Sequence, residues 1–110
     1  WLRLAQSEFA LNRVSPQMIR ALAMAYRTGR YNRFTVFAMS ELAFVAWAKL
    51  DSETRKAAGE QLAFAVVQRT SRLVAISERL HASPIVRRAL RHQPKLLAKF
   101  DRAVKNHPRG

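Results

Sequence analysis

The chain has no cysteine, only three glycines and four prolines, and only seven acidic residues among its 110 residues. Without cysteine it can hold no disulfide, no thiolate metal site and no cysteine nucleophile. The scarcity of glycine and proline, together with abundant alanine, favours helix over sheet. An apolar fraction of 49% is ordinary for a globular protein and argues against disorder throughout. At this length we predict one domain that is large enough to bury a hydrophobic core.

The scarcity of acidic residues leaves a large positive charge. Twenty Lys and Arg against seven Asp and Glu give a net charge of +13, and arginine outnumbers lysine fifteen to five. Arginine binds phosphate through two parallel hydrogen bonds and stacks on bases, so this excess favours a nucleic acid partner over a merely solvated surface. The charge is uneven, because residues 83–110 carry +7 and residues 1–82 carry +6.

Residues 34–50 are apolar on nearly every side of a helix, and Glu41 and Lys49 are their only charged residues. A helix that is apolar all round is a buried helix, so we predict that this stretch is the central helix against which its neighbours pack. Its polar residues and its length argue against a membrane span. For Glu41 we expect an arginine partner from a neighbouring helix rather than a catalytic role, because buried charges need partners.

Helix-start and helix-stop signals divide the first part of the chain. Apolar spacing predicts a short helix within residues 1–14. The dipeptide Ser15-Pro16 predicts an N-cap and a first-turn proline for a helix that runs to about Thr28, with Gly29 at the C′ position. The connection after Gly29 is short, so this helix and the central helix, expected over residues 32–50, should form an antiparallel hairpin.

A long helix is expected to begin at Asp51-Ser52, where either Asp51 or Ser52 can cap it. Apolar side chains recur at alternating steps of four and three as far as Leu80, with one arginine in the series. We favour a single helix to about His81. The alternative, in which Thr70-Ser71 restarts a second helix after a kink, stays open.

Two short amphipathic basic helices are expected at the C-terminal end. Ser83-Pro84 repeats the earlier start signal for a helix to about His92, and Pro94 begins a last helix to about Asn106. Basic amphipathic helices are typical of nucleic-acid-binding arms and of membrane-surface helices, but narrow apolar faces without tryptophan weaken the membrane interpretation. The cations predicted to neutralise phosphates are Arg87, Arg88, Arg91, Lys95, Lys99, Arg102 and Lys105.

We therefore divide the chain into a helical-hairpin core, residues 1–82, and a basic C-terminal helical arm, residues 83–110. High charge combined with little apolar surface leads us to expect that the arm is partly disordered without a partner. Phosphate contacts position a nucleic acid without reading its sequence, so binding should follow RNA shape.

A second basic patch is predicted in the connection that precedes the central helix. Basic residues interleaved with aromatic ones suit phosphate contact combined with base stacking. An equally weighted alternative is a solvated hairpin tip with its tyrosine folded onto the core. The residues predicted to contact RNA here are Arg27, Arg30, Tyr31 and Arg33.

No arrangement of residues predicts catalysis. His81, His92 and His107 lie too far apart for the usual metal-ligand spacing, and the sequence holds no glycine-rich phosphate loop. The seven carboxylates form no convincing pair for acid–base work. We therefore predict no enzyme activity, no cofactor, no metal site and no small-molecule substrate.

The segment VSPQMIRALAMAYRTGRYNRFTVFAMSELAF, residues 14–44, resembles one helical-hairpin repeat of the heptatricopeptide and FAST/RAP type found in mitochondrial RNA-binding proteins. A weaker echo begins at Asp51-Ser52, 36 or 37 residues later, but it lacks the alanine–tyrosine pair. The resemblance implies an α-solenoid fragment in organelle RNA metabolism, or one recruited into a mitochondrial ribosome, and it assigns no base-reading residue. The matching positions are Ser15, Pro16, Gln17, Ile19, Leu22, Ala23, Ala25, Tyr26, Gly29 and Tyr31.

These observations together predict an all-α protein of five or six helices in antiparallel hairpins, either α-solenoid-like or a small bundle, with a basic C-terminal helical extension. The expected function is a non-enzymatic RNA-binding structural component of a ribonucleoprotein, foremost a mitochondrial ribosome in the mitochondrial matrix. Its partners would be RNA, in particular rRNA, and neighbouring proteins of the assembly, with no membrane.

Two other functions are compatible with the same pattern. One is a helical protein-interaction adaptor whose hydrophobic groove holds a partner helix and whose charge matches an acidic protein. The other is a DNA-binding helix-turn-helix protein. Its recognition helix would be residues 84–92, which lack an Asn or Gln at the front for contact with adenine.

Overall fold

A computed structural model describes residues 1–29 and 32–108, and these residues contain helices and no β-strand. One turn of 3-10 helix, Trp47–Lys49, joins the third helix to the fourth. The predicted all-α class is confirmed, and the helices form a small bundle. The six α-helices of the described residues are α1 Leu2–Asn12, α2 Pro16–Thr28, α3 Val36–Ala46, α4 Ser52–Arg79, α5 Ser83–Ala89 and α6 Pro94–Lys105.

Two hydrophobic clusters meet along α3. The N-terminal cluster joins α1 and α2 to one side of α3, with Met18 and Leu22 at its centre. The C-terminal cluster joins the other side of α3, including Phe37, to α4, α5 and α6. Eight of the eleven residues of α3 are buried, which confirms that this helix lies in the interior.

The helix with the most helical neighbours is α4 rather than α3. It packs against α2, α3, α5 and α6, whereas α3 packs mainly on α4. The hairpin expected between α2 and α3 is a minor contact, because α2 packs far more extensively on α1. Length explains the difference, since α4 has 28 residues and α3 has 11. We predicted that residues 34–50 form the central helix against which the others pack. That prediction was wrong, because α4 has this position.

A kink at Arg69 divides α4 into two helical segments. The backbone of Arg69, with φ of −154° and ψ of 87°, is not helical. The favoured prediction of a single helix to about His81 was therefore wrong. The alternative, in which a second helix starts at Thr70-Ser71 after a kink, is confirmed. The Thr70 hydroxyl donates to the Val66 carbonyl at 2.6 Å, which satisfies a carbonyl at the break.

The segment after the kink passes beside α3. The Arg72 guanidinium lies 4.8 Å from the centre of the Phe37 ring. Further along, Arg79 Nη2 lies 2.7 Å from Glu41 Oε1, so Glu41 has the arginine partner that was expected from a neighbouring helix. The side chain of Glu41 is 43% exposed, which makes this an ion pair at the surface of the bundle.

The two Ser-Pro signals have different outcomes. The Ser15 hydroxyl accepts a hydrogen bond from the Met18 N–H at 3.1 Å and caps α2 as predicted. Ser83 is instead the first residue of α5, and its buried hydroxyl has no hydrogen-bond partner among the described residues. The predicted cap at Ser83 was therefore wrong.

The end of α4 explains why Ser83 cannot be the cap. His81 adopts a left-handed φ of 55°, and the Ala82 N–H donates to the Ser77 carbonyl at 2.7 Å. This pattern is a Schellman motif. It turns the chain at once into α5, so that the Ala82 carbonyl accepts the first hydrogen bond of α5, from Ile85 N–H at 3.0 Å.

The ends of α2 and α3 also depart from expectation. Gly29 follows α2 as predicted, but its φ of −88° is not left-handed. A Cβ at Gly29 would come within 2.7 Å of the Ala25 carbonyl oxygen, so close approach is the reason for glycine here. The Asn32 side chain accepts the Phe34 and Thr35 N–H groups at 2.8 and 3.1 Å, and α3 begins only at Val36.

The C-terminal helices pack against the rest of the bundle. Val86 in α5, Leu90 after it and Phe100 in α6 are fully buried in the C-terminal cluster. This packing contradicts the premise that the C-terminal segment has little apolar surface to bury, and the expected partial disorder of the free segment stays a prediction. It also orients the cations of residues 83–108 relative to α4.

Candidate nucleic-acid interface

A cleft of about 770 Å³ opens between the start of α4 and α5. Its α4 side begins immediately after the Asp51 cap, where the Asp51 carboxylate accepts the Thr54 N–H at 2.7 Å. Gly59 of α4 lines the cleft opposite Ala89 of α5, and a Cβ at Gly59 would lie 3.6 Å from the Ala89 Cβ. The lining residues are Trp47, Ser52, Arg55, Lys56, Gly59 and Glu60 on one side, and Pro84, Ile85, Arg88, Ala89, Arg91, His92 and Gln93 on the other.

Positive charge dominates this cleft. Four cations line it, and Glu60 is the one acidic residue that lines it with them. Among the described residues the ion pairs join Arg27 to Glu53, Arg79 to Glu41 and Arg87 to Asp101, so none of the four cleft cations has a carboxylate partner there. Like charges gathered in a concave surface raise the local concentration of anions. The four cations are Arg55, Lys56, Arg88 and Arg91.

Two of the cleft arginines are held in place by neighbouring groups. Arg55 Nε donates to the Trp47 carbonyl at 3.0 Å, and its guanidinium lies 5.9 Å from the centre of the Trp47 ring. Arg91 Nη1 donates to the Arg88 carbonyl at 3.2 Å, and Arg91 Nε donates to His92 Nε2 at the same distance. These contacts orient the guanidinium groups before any ligand arrives, which lowers the entropy lost on binding.

The predicted C-terminal cations fall into three groups. Arg88 and Arg91 line the cleft. Arg87 makes two contacts of 3.3 Å with the Asp101 carboxylate, so its charge is compensated within the fold. The remaining cations are exposed along α6 and form no ion pair with a described residue; they are Lys95, Lys99, Arg102 and Lys105.

Two of the four residues predicted to form a basic patch before α3, Arg27 and Arg33, lie within the described residues. Arg27 lies at the same end of α4 as the cleft, where its Nη2 is 3.7 Å from Glu53 Oε2. Arg33 lies 5.0 Å from the ring centre of Phe34, whose side chain is 78% exposed. Arg30 and Tyr31 lie outside the described residues.

The cleft residues that the sequence did not predict for the site include one tryptophan and two cations, namely Trp47, Arg55 and Lys56. The only signal was a pair of adjacent basic residues near the start of α4. That signal could not show that these side chains face α5, because α5 begins about 30 residues after the start of α4 and its position against that start depends on tertiary packing.

Tyr26, which belongs to the repeat-like motif, lies in the core and not at this interface. Its side chain is 7% exposed, and its hydroxyl has no hydrogen-bond partner among the described residues. Burial raises its pKa, so the hydroxyl stays neutral. It borders a small cavity of about 130 Å³ between α2 and α4, which also includes Thr54 and Ala57.

No protein-family model matches the chain, and comparison with curated proteins and with solved structures gives no match. The resemblance of residues 14–44 to a mitochondrial RNA-binding repeat therefore stays a prediction. Within residues 1–29 and 32–108, no helix is long and apolar enough to cross a membrane. In the same residues, no group of three or more His, Asp or Glu side chains could hold a metal ion.

Proposed function

We propose that this chain is a non-enzymatic RNA-binding structural component of a ribonucleoprotein. The observation that carries the proposal is the convergence of four cations on one cleft without a carboxylate partner among the described residues. A small domain that keeps so many cations uncompensated is destabilised by self-repulsion, which a polyanion would relieve. RNA would be held by its phosphates, and the fit would follow RNA shape rather than sequence.

The basic face of α6 extends the same proposal. Gln93, which precedes α6, lines the cleft, so the cations of α6 begin where the cleft ends. A strand that leaves the cleft at this point would continue along Lys95 and Lys99. The rRNA of a mitochondrial ribosome, and the mitochondrial matrix as location, remain part of the proposal because of the resemblance of residues 14–44 alone.

Salt dependence of RNA binding tests this function. Three exposed cations of α6, Lys99, Arg102 and Lys105, are replaced together by glutamine. For single strands the log–log salt slope changes by roughly 0.7 for each phosphate contact, so the slope should become shallower by up to about 2. Fluorescence anisotropy with a labelled RNA across a salt series measures the slope.

A charge-matched control removes the same number of cations from the N-terminal helices. Arg3, Arg13 and Arg20 lie exposed on α1, at its end and on α2, and their triple glutamine variant has the same net charge as the α6 variant. It should retain most of the salt slope. The proposal fails if the unmodified chain does not bind RNA at low salt, or if both triple variants change the slope equally.

A helical adaptor for an acidic protein is the second candidate, and α1 provides the observation that favours it. Leu4 and Leu11 are 47% and 79% exposed and lie two turns apart on one side of the helix. Exposed leucines at this spacing are typical of a face that packs against a partner helix. An adaptor that docks through them would lose little affinity as salt rises, in contrast to the RNA binder.

A further inference from the structure

The cleft between α4 and α5 has the dimensions of a ligand site rather than of a simple phosphate contact. Its volume of about 770 Å³ lies within the roughly 300–1,000 Å³ of typical small-molecule sites. An unstacked nucleotide fits such a space, whereas an RNA duplex is recognised across an open surface by its shape. A cleft of this volume favours an unpaired nucleotide over a duplex as its ligand.

Planar groups stand beside the cations in this cleft. Trp47 is half-buried, and it both packs against the N-terminal cluster and lines the cleft. The Arg55 guanidinium beside it is held by the Trp47 carbonyl. Bases stack on aromatic rings and on arginine planes, and this stacking tolerates every base. An acidic peptide would need the cations but not the planar surface.

The remaining cations surround this stacking surface. Lys56 follows Arg55 on α4, and Arg88 and Arg91 lie across the cleft on α5 and just after it. A nucleotide within a strand carries phosphates on the 5′ and 3′ oxygens of its ribose, so a base placed against Trp47 and Arg55 can direct its two phosphates toward the cations of the facing wall. The charge and the planar groups thus point to the same ligand.

We propose that this cleft binds an unpaired nucleotide of RNA, with the base against Trp47 and Arg55 and the flanking phosphates against Arg88 and Arg91. The inference rests on the proposed function, because it assigns the RNA form and the contacts of that same site. It goes further in two respects: single-stranded RNA is preferred over duplex, and Trp47 contributes through its ring.

Tryptophan fluorescence tests the contact directly. The chain has two tryptophans, and the Trp1→Phe variant leaves Trp47 as the single reporter. This variant is titrated with oligouridylate and, separately, with a blunt RNA duplex of the same length at the same salt. We expect oligouridylate to quench the Trp47 emission and duplex RNA to leave it unchanged.

Substitution of Trp47 measures what the ring contributes. Stacking of one base predicts that Trp47→Leu lowers the affinity for oligouridylate by roughly 5- to 150-fold. Trp47→Phe keeps an aromatic ring and should restore most of that loss. Thermal melting followed by circular dichroism checks that both variants are folded. If Trp47→Leu melts at a lower temperature than the unmodified chain, the contribution of the ring is decided from the affinity of Trp47→Phe and from the fluorescence titration.

The cations of the second wall are tested by a matched pair of double variants. Arg88→Gln with Arg91→Gln should make the salt slope for oligouridylate shallower by about 1.4. Arg3→Gln with Arg20→Gln removes the same charge from exposed positions of α1 and α2, outside the cleft, and should change the slope much less.

The outcomes separate the inference from the function on which it rests. Equal binding of single-stranded and duplex RNA, with unchanged Trp47 emission and no effect of the cleft variants, overturns the inference and leaves RNA binding standing. Binding of polyglutamate with the same quenching and affinity as oligouridylate also overturns it and favours an acidic protein. Failure of the chain to bind any RNA at low salt overturns both.

Discussion

The arginines before α3 and the arginines of α5 look alike in the sequence and differ in their surroundings. Arg27 faces the Glu53 carboxylate, and Arg33 lies against an exposed phenyl ring. Arg88 and Arg91 share a cleft with two further cations and have no carboxylate partner among the described residues. Whether an arginine is free to bind a ligand therefore depends on the residues that surround it in the fold and not on the composition of the sequence next to it.

The same two regions differ in how their helices begin. Both α2 and α5 carry a Ser-Pro dipeptide at the start, yet the Ser15 hydroxyl caps its helix and the Ser83 hydroxyl is buried without a partner among the described residues. A cap residue needs an extended backbone before the helix. Ser15, with φ of −131° and ψ of 163°, has that backbone, whereas the tight turn at the end of α4 places Ser83 inside α5.

The largest effect is expected from truncation of a phenylalanine in the C-terminal region. Phe100 is fully buried between α6 and α4, and Phe100→Ala should lower the free energy of unfolding by about 3–5 kcal/mol. The matched substitution in the other region, Phe34→Ala, removes an exposed ring and should cost less than about 0.5 kcal/mol. Urea unfolding measures both. A Phe100→Ala variant as stable as the Phe34→Ala variant would show that α6 is detached in solution.

The two Ser-Pro serines allow the next comparison. Ser15→Ala removes a cap and should lower the free energy of unfolding by about 1 kcal/mol. Ser83→Ala removes a buried hydroxyl that has no partner among the described residues, so it should be neutral or slightly stabilising. Equal losses for the two alanine variants in urea unfolding would contradict the difference described for these helix starts.

Two residues with positive φ permit a smaller test in each region. Arg13 and His81 have φ of 58° and 55°, a conformation that strains residues with a Cβ. Glycine relieves this strain at some cost in chain entropy, so His81→Gly should raise the free energy of unfolding by about 0.5 kcal/mol. Arg13→Gly should gain less, because it also loses the guanidinium contact 4.9 Å from the Phe9 ring. Destabilisation by His81→Gly would show that φ at this position is negative in solution.

The smallest effect concerns the charged cap of α4. Hydrogen bonds from the Thr54 N–H and hydroxyl lower the pKa of Asp51 below its ordinary value. Because the pKa is lower in the folded state, the stabilisation is present above the unfolded pKa of about 4 and is lost as pH falls through the folded pKa. Asp51→Asn keeps a cap but removes the titrating carboxylate. Between pH 5 and pH 2.5 the free energy of unfolding of this variant should therefore fall less than that of the unmodified chain. Parallel pH profiles of the two proteins in urea unfolding would contradict this role.

Local patterns in the sequence determined the helical class, the caps at Ser15 and Asp51, the proline starts of α2 and α6, and the burial of α3. Each of these depends on residues within one or two turns of one another, where backbone geometry and side-chain chemistry leave few alternatives. The concentration of charge in the last quarter of the chain was equally evident from the sequence. The kink at Arg69 was visible only as an open alternative, since a single apolar series continued across it.

Tertiary structure alone decided which cations form ion pairs with carboxylates and which come together in the cleft. Trp47, Arg55 and Lys56 meet Arg88 and Arg91 because α5 packs back onto the start of α4, and no local pattern encodes that docking. The C-terminal helices became part of the bundle because Val86, Leu90 and Phe100 complete a cluster whose other buried members come from α3, from α4 and from Ala82 between α4 and α5. Composition therefore determined that the chain carries excess positive charge, and long-range packing determined where that charge is left free for a ligand.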